Sequence, residues 1–191
     1  MRRLVLIRHG RTAGNDHRVY YGGTDLPLTA DGRADLERLR DAGIYPPPLP
    51  LVVTSGMLRT EQTLSCIYGE TPHEVWDAFR EVDFGIFELH GYEELKDRAD
   101  YQAWLAGDWY GNVPPGGESF RAAEGRILAG FERLRQQPQD VTAVVHGGTI
   151  LVIMPHLFPE VPRNAYEWQP LPGGGYEVDL DTMQWREFGR D

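Results

Sequence analysis

The sequence predicts an α/β chain: a three-layer α/β/α sandwich around a mostly parallel central sheet, with a small helical lid inserted at about residues 86–118. Three observations point there. Short apolar, β-branched runs recur at residues 4–7, Leu51–Thr54 and Val141–Val145, each too short for a helix and bounded by polar residues or glycine. Amphipathic helical stretches separate them, the alternation expected of a layered α/β domain. Between residues 83 and 118 the periodicity becomes irregular and the composition turns aromatic.

The elements follow in order. Residues 4–7, Leu-Val-Leu-Ile, read as a strand buried on both faces and end on Arg8-His9-Gly10. Leu28-Thr29-Ala30-Asp31-Gly32 opens a helix with Leu36 and Leu39 on one face and Thr29 as the N-cap. The proline run at 46–50 is a stiff spacer before the second strand. Residues 57–67 read as a helix, 73–76 as a short strand, and 92–105 as a helical piece of the lid. A longer helix spans 119–135 with Phe120, Ile127, Leu128, Phe131 and Leu134 at its apolar positions. The third core strand ends on His146-Gly147-Gly148, and a helix from 149 to about 157 closes near Pro155. Gly173-Gly174-Gly175 turns the chain into a hairpin of 176–180 and 183–188. Residues 1–191 are expected to form a single domain.

Composition narrows the function. The net charge is −10, which excludes non-specific attraction to nucleic acid or anionic membranes. No run approaches the roughly 18 apolar residues of a membrane span, and no secretory leader is visible. Cys66 is the single cysteine, so a reducing, cytoplasmic setting is expected. Either a monomer or a homodimer fits, because the C-terminal hairpin could finish one sheet or pair across two. An acidic chain repels anions at long range, so any phosphate site here needs a dense local cluster of Arg and His.

Such a cluster is written into the strand ends. His9 and His146 each stand one step beyond a β-rich run and are followed by glycine, which lets backbone approach a ligand and opens N–H groups to an anion. If both strands are parallel, both imidazoles emerge at one sheet edge, where open α/β sheets bind ligands. Arg8 offers a fork that fits a phosphoryl group. Arg59 falls on the first turn of the helix after the second strand, where dipole and free N–H groups favour anions. Taken alone, Arg8 reads as a surface ion-pair residue and His146 as a helix cap; together with Arg59 they read as an anion site. No short His-x-x-x-His or cysteine-pair spacing supports a metal centre. Ser55 lacks a Gly-x-Ser-x-Gly elbow, and there is no Walker loop.

Arg8-His9-Gly10-Arg11-Thr12-Ala13-Gly14-Asn15, the segment 22–32, Ser55 to Thr63 with Arg59, Gln62 and Thr63, Arg80-Glu81-Val82-Asp83-Phe84-Gly85, Gly116-Gly117-Glu118-Ser119 with Arg126, and His146-Gly147-Gly148 occur in one order along the chain. Jointly they resemble the histidine phosphatase superfamily, the phosphoglycerate-mutase-like proteins. The resemblance implies a phosphoglycerate-mutase-like fold and a metal-independent phosphomonoester hydrolase without a cofactor. His9 would be the phosphorylated nucleophile, with its other ring nitrogen donating to a backbone carbonyl. Arg8, Arg59 and His146 would bind the phosphoryl oxygens, with Asn15 and Gly147 as further substrate contacts. Glu81 would act as acid and then base, although Asp83 lies two residues away and only the family pattern favours Glu81.

Within the family, the alternative is a cofactor-dependent phosphoglycerate mutase, which needs extra cations for its substrate's carboxylate. Residues 86–118 hold only Lys96 and Arg98 as bases against Glu88, Glu93, Glu94, Asp97, Asp100, Asp108 and Glu118, so a phosphatase is expected. A catalytically silent phosphate-binding relative is the alternative of another class; retention of His9, Glu81 and His146 argues against it. The expected partner is a small phosphate monoester, α-ribazole phosphate or a sugar phosphate, with no nucleic acid and no membrane. The lid aromatics Phe87, Tyr92, Tyr101, Trp104, Trp109 and Tyr110 read either as a self-packed lid or as a pocket wall. Short α-ribazole-phosphatase-like members carry Phe-Gly-x-Trp-Glu-Gly; this chain departs with Phe84-Gly85-Ile86-Phe87-Glu88-Leu89.

Overall fold

The computed structural model describes residues 1–189, so the last two residues of the expected 1–191 domain lie outside it. β1 (Arg3–Arg8), β2 (Leu51–Thr54), β3 (Glu74–Val75), β4 (Val141–Val145), β5 (Gly175–Asp179) and β6 (Gln184–Phe188) form one six-stranded sheet in the order β3-β2-β4-β1-β5-β6. The three pairings among β3, β2, β4 and β1 are parallel, and β5 and β6 add antiparallel. The continuous apolar runs follow from burial on both faces. In β1, Leu4 and Leu6 enter one hydrophobic cluster while Val5 and Ile7 enter another.

The helices cover both faces. α2 (Ala30–Asp41) and α3 (Leu58–Tyr68) pack Leu36, Leu64 and Ile67 on the side of Val5 and Ile7. α6 (Phe120–Arg135) and α7 (Gly147–Leu157) pack Ile127, Phe131, Leu134, Ile150, Ile153 and Met154 on the side of Leu4 and Leu6. The expected caps form: Thr29 Oγ1 accepts from Gly32 N at 3.0 Å and Ser119 Oγ from Ala122 N at 3.1 Å. No helix among the described residues is long and apolar enough to cross a membrane.

Three elements differ from expectation. A short α1 (Ala13–His17) follows β1, where Gly14 and Asn15 are weak helix formers; a box in which Thr12 N–H and Oγ1 both donate to Asn15 Oδ1 holds its first turn. The helical piece at 92–105 is two helices, α4 (Tyr92–Leu95) and α5 (Ala99–Leu105), because Arg98 is extended (ψ 132°) and bonds Asp100. α7 begins at Gly147, two residues earlier than expected, with His146 as its N-cap. Gly147 and Gly148 oppose helix by propensity, and tertiary contacts override it.

The irregular segment has its own apolar centre, Phe87, Leu95, Tyr101 and Trp104, against which Tyr20, Phe84 and Phe120 pack. The aromatic residues therefore divide. Phe87, Tyr101 and Trp104 are buried in this cluster, whereas Trp109 and Tyr110 face a cavity above the sheet.

Candidate active site

Strand register sets the site. Arg8 pairs with Val145 and Thr54 with Val144, so β1 and β4 end level and β2 one residue short, which brings His9, Ser55 and His146 to one sheet edge. The His9 and His146 rings lie 5.2 Å apart, centroid to centroid, and both are buried. Backbone contacts anchor the strand end: His9 N donates to Val145 O at 2.9 Å, and Gly10 N donates to Thr63 Oγ1 at 2.9 Å. The Gln62-Thr63 pair after Arg59 thus has a structural use, since Gln62 Oε1 also accepts from Leu28 N at 2.8 Å.

His9 Nδ1 donates to the Gly10 carbonyl at 2.8 Å, which puts the proton on Nδ1 and leaves Nε2 with its lone pair free. Burial, then the Arg59 and Arg8 guanidiniums, hold His9 well below the ordinary histidine value, outweighing the opposite pull of the Gly10 bond. It is a neutral imidazole with an unprotonated Nε2. His146 is neutral for the same reasons: burial first, then Arg59 and His9. Its Nδ1 accepts from Arg59 Nε at 3.2 Å, so its proton sits on Nε2 and is donated to Ser55 Oγ at 2.8 Å.

Arg59 is fully buried (0% exposed) on the first turn of α3. Its Nη1 donates to Thr24 O at 3.0 Å and its Nη2 to Gly22 O at 2.9 Å, and its guanidinium lies 5.3 Å from the Tyr21 ring centre. The loop bearing those carbonyls is fixed by Glu88, whose carboxylate accepts from the N–H groups of Gly22, Gly23, Thr24 and Phe84 at 2.9–3.0 Å. Gly22 has no room for a side chain: a Cβ there would run into the Val82 carbonyl.

Arg8 donates through Nη1 to Pro170 O at 2.8 Å, while its buried Nε has no hydrogen-bond partner. Glu81 bridges two elements, accepting from Val82 N and from Gly148 N, each at 3.1 Å. Its segment is held from behind by Arg126, which donates to Ala78 O and Arg80 O at 2.9 Å and forks onto Glu118. That gives Glu118 and Arg126 of the sequence pattern a structural place: they position the Glu81 segment and stay outside the cavity lining. Asp83 accepts from Gly85 N at 2.8 Å and is likewise outside the lining, which separates it from Glu81.

A cavity of about 670 Å³ opens over these groups and is lined by Arg8, His9, Asn15, Glu81 and Gly148, among others. Thr12 occupies the Asn15 carbonyl oxygen, so the group Asn15 offers a ligand is its amide NH₂, a donor. Arg59, His146 and Gly147 are not on the lining. They form the layer behind His9, with Gly147 packed against Gln169 and Arg8. Gly148 takes the cavity-facing position at the start of α7. Tyr21, Gln169 and Glu124 belong to the cavity and carried no usable sequence signal. Tyr21 follows the first motif without a fixed spacing, Gln169 lies in an irregular connection, and Glu124 reads as an ordinary solvated helix residue.

A neutral histidine with a free nitrogen beside a guanidinium, faced by a carboxylate, can take a phosphoryl group and protonate the oxygen that leaves. Known proteins agree with that chemistry. The model of the histidine phosphatase superfamily (branch 1) matches residues 4–187. The adenosylcobalamin/alpha-ribazole phosphatase of Escherichia coli K12 is 30% identical over 161 residues, 81% of this chain and 78% of that protein. The 2,3-bisphosphoglycerate-dependent phosphoglycerate mutase 2 of Gloeobacter violaceus is 31% identical over 172 residues, 82% of this chain and 77% of its own. Among solved structures, a candidate alpha-ribazole-5'-P phosphatase from Escherichia coli superposes with a TM-score of 0.81 at 25% identity, covering 97% of this chain and 94% of that one. Phosphoglycerate mutase from Thermus thermophilus gives 0.73 at 28% identity, covering 99% of both chains. With the family model spanning nearly the whole sequence and the fold shared, the chain belongs to the histidine phosphatase superfamily.

Proposed function

We propose that the protein is a phosphomonoester hydrolase that works through a phosphohistidine on a small phosphorylated metabolite. The observation that carries this reading is His9, neutral, with Nδ1 tied to Gly10 O and Nε2 free at the floor of the cavity. In the first step Nε2 bonds to phosphorus as the ester P–O bond breaks, and protonated Glu81 gives its proton to the departing oxygen. In the second step Glu81 takes a proton from water, the water oxygen bonds to phosphorus, and the N–P bond breaks to release phosphate. Arg8 and Asn15 supply donors from the lining, while Arg59 contributes charge from behind and holds His146. Ordered this way, His146 and Arg59 act on phosphoryl oxygens through the field of the buried cluster, and direct contact requires them to exchange Ser55 or the loop carbonyls for substrate.

Hydrolysis is favoured over the mutase reaction because the cavity beyond Glu81 is walled by aromatic and aliphatic side chains rather than by cations for a carboxylate. α-Ribazole phosphate and sugar phosphates are the candidate substrates. The relatives named as alpha-ribazole phosphatases support the first. The test is hydrolysis of p-nitrophenyl phosphate in the presence of EDTA. Turnover is expected in the wild type and absent in His9→Ala; activity that needs added metal, or that survives the substitution, contradicts the reading.

A further inference from the structure

The cavity is far larger than a phosphoryl group needs, and beside the polar groups of Arg8, His9, Asn15 and Glu81 it carries a wide apolar wall. The outer walls are rings and aliphatic groups: Tyr20, Phe84, Trp109 and Tyr110 on one side, and the inner stripes of α6 and α7 on the other. On α6 the cavity-facing positions are 120, 123, 124, 127 and 128, one helical face; Phe120, Ala123, Ile127 and Leu128 are apolar, and the charged one is Glu124. Glu124 is half-buried, near enough to the Tyr110 hydroxyl to add to burial in pushing that pKa up, and makes no ion pair with a cation among the described residues. The other titratable group on this outer wall besides the tyrosines is His156 on α7, 3.5 Å from Glu132, so any positive charge it acquires is already faced by a carboxylate. This part of the wall thus presents aromatic surface and a carboxylate without an ion-pair partner among the described residues; Arg121, 6.0 Å from the Tyr110 ring centre, is paired with Asp108 and lies off the lining, whose arginine is Arg8.

Such a wall stacks a ring, accepts a hydrogen bond or cation, and repels an anion. Resting on the phosphatase reading above, we infer that the leaving group is a bulky, ring-bearing alcohol without a second negative charge, and that Glu124 is the specificity-determining residue that enforces this. Glycolytic phospho-acids and bisphosphates are rejected by the same carboxylate.

A matched series isolates the effect, because a methylene insulates the leaving oxygen from the substituent: benzyl, para-carboxybenzyl and para-(aminomethyl)benzyl phosphate, with ethyl phosphate as the small reference. In the wild type, kcat/KM for benzyl phosphate should exceed that for ethyl phosphate. The aminomethyl ester should exceed the carboxy ester by about tenfold, as expected for one partly screened charge pair. Glu124→Gln should bring that ratio to within about threefold, and Glu124→Lys should invert it. A ratio that is the same in wild type and Glu124→Lys overturns the proposal, as does equal turnover of benzyl and ethyl esters. If the wild type hydrolyses none of the four, the phosphatase reading fails instead, and the corresponding phosphonates are compared by calorimetry. An affinity order that inverts in Glu124→Lys then supports the assignment, and an order indifferent to position 124 overturns it.

Discussion

Replacing Arg59 with methionine removes one buried guanidinium and strands three acceptors at once: Gly22 O, Thr24 O and His146 Nδ1. Each buried acceptor left without a donor costs about 1–3 kcal/mol, least for Thr24 O on its half-exposed loop. Relief of the guanidinium's own desolvation, which is severe enough to lower its pKa, offsets part of this. We expect a net loss of about 2–4 kcal/mol, a large share of the ~5–15 kcal/mol typical of a domain. The electrostatic consequence is separate. Arg59 is the second cause, after burial, of the low pKa of both His9 and His146, so both should titrate higher in Arg59→Met while staying below 6.5. Arg59→Lys retains the charge but loses the fork, so it should destabilise while leaving the histidines low. Urea unfolding measures the first effect and NMR titration of the histidine ring protons the second. Losing a charge that acts from behind His9 should also lower kcat, by less than the roughly 10²–10³ of a direct transition-state donor. A stability loss below about 0.5 kcal/mol, together with unmoved histidine titrations, would refute the assignment of Arg59 as the buried organiser of the site.

Other consequences follow from the same geometry. A methyl group at Gly148 would fall on the Glu81 carboxylate, so Gly148→Ala should depress turnover of alkyl phosphates, which need a proton donor, more than that of p-nitrophenyl phosphate; equal loss on both substrates would contradict the acid role. In the fold His9 and His146 are held well below 6.5, whereas in the unfolded chain they titrate near it, so the unfolded state binds more protons below that pH. Urea-derived stability should therefore be full above about pH 6.5 and fall on acidification by up to ~1.4 kcal/mol per pH unit for each histidine; His9→Gln should roughly halve that histidine contribution, and a flat profile would count against buried neutral histidines. Leu89 occupies the left-handed region at φ 64°, at the position where the resembling motif has glycine. Leu89→Gly should raise stability by about 0.5–1 kcal/mol, and an unchanged or lowered unfolding midpoint would show that its backbone is unstrained.

Much of this arrangement could be read from residues alone, for identifiable reasons. The core strands announce themselves because both faces are buried, so apolar residues run without interruption and the first polar residue afterwards marks the sheet edge. Arg8, His9 and His146 stand at that edge, and Arg59 falls on the first turn of the helix after the second strand. Thr29 and Ser119 cap as expected because capping is local. What stayed hidden depends on distant partners. The start of α7 at Gly147 contradicts glycine's propensity and is set by Glu81 accepting from Gly148 N. Glu88 looks like one more acid in an acidic segment until its carboxylate is seen gathering the N–H groups of residues 22–24. Glu124 reads as a solvated face because helical spacing alone does not tell a cavity from water. The lid aromatics could not be sorted between packing and pocket, since Trp104 and Trp109 differ in burial and not in chemistry.

The proposed hydrolysis requires a covalent bond between His9 Nε2 and phosphorus. Rapid mixing with excess substrate, an alkaline quench that preserves phosphohistidine, and mass spectrometry of the peptide containing His9 would detect it. We expect one acid-labile phosphoryl group on His9, accumulating in Glu81→Gln, where the second step lacks its base, and missing in His9→Ala. Full turnover with no phosphoryl group on His9 at any time, or one that forms on another residue, would contradict it.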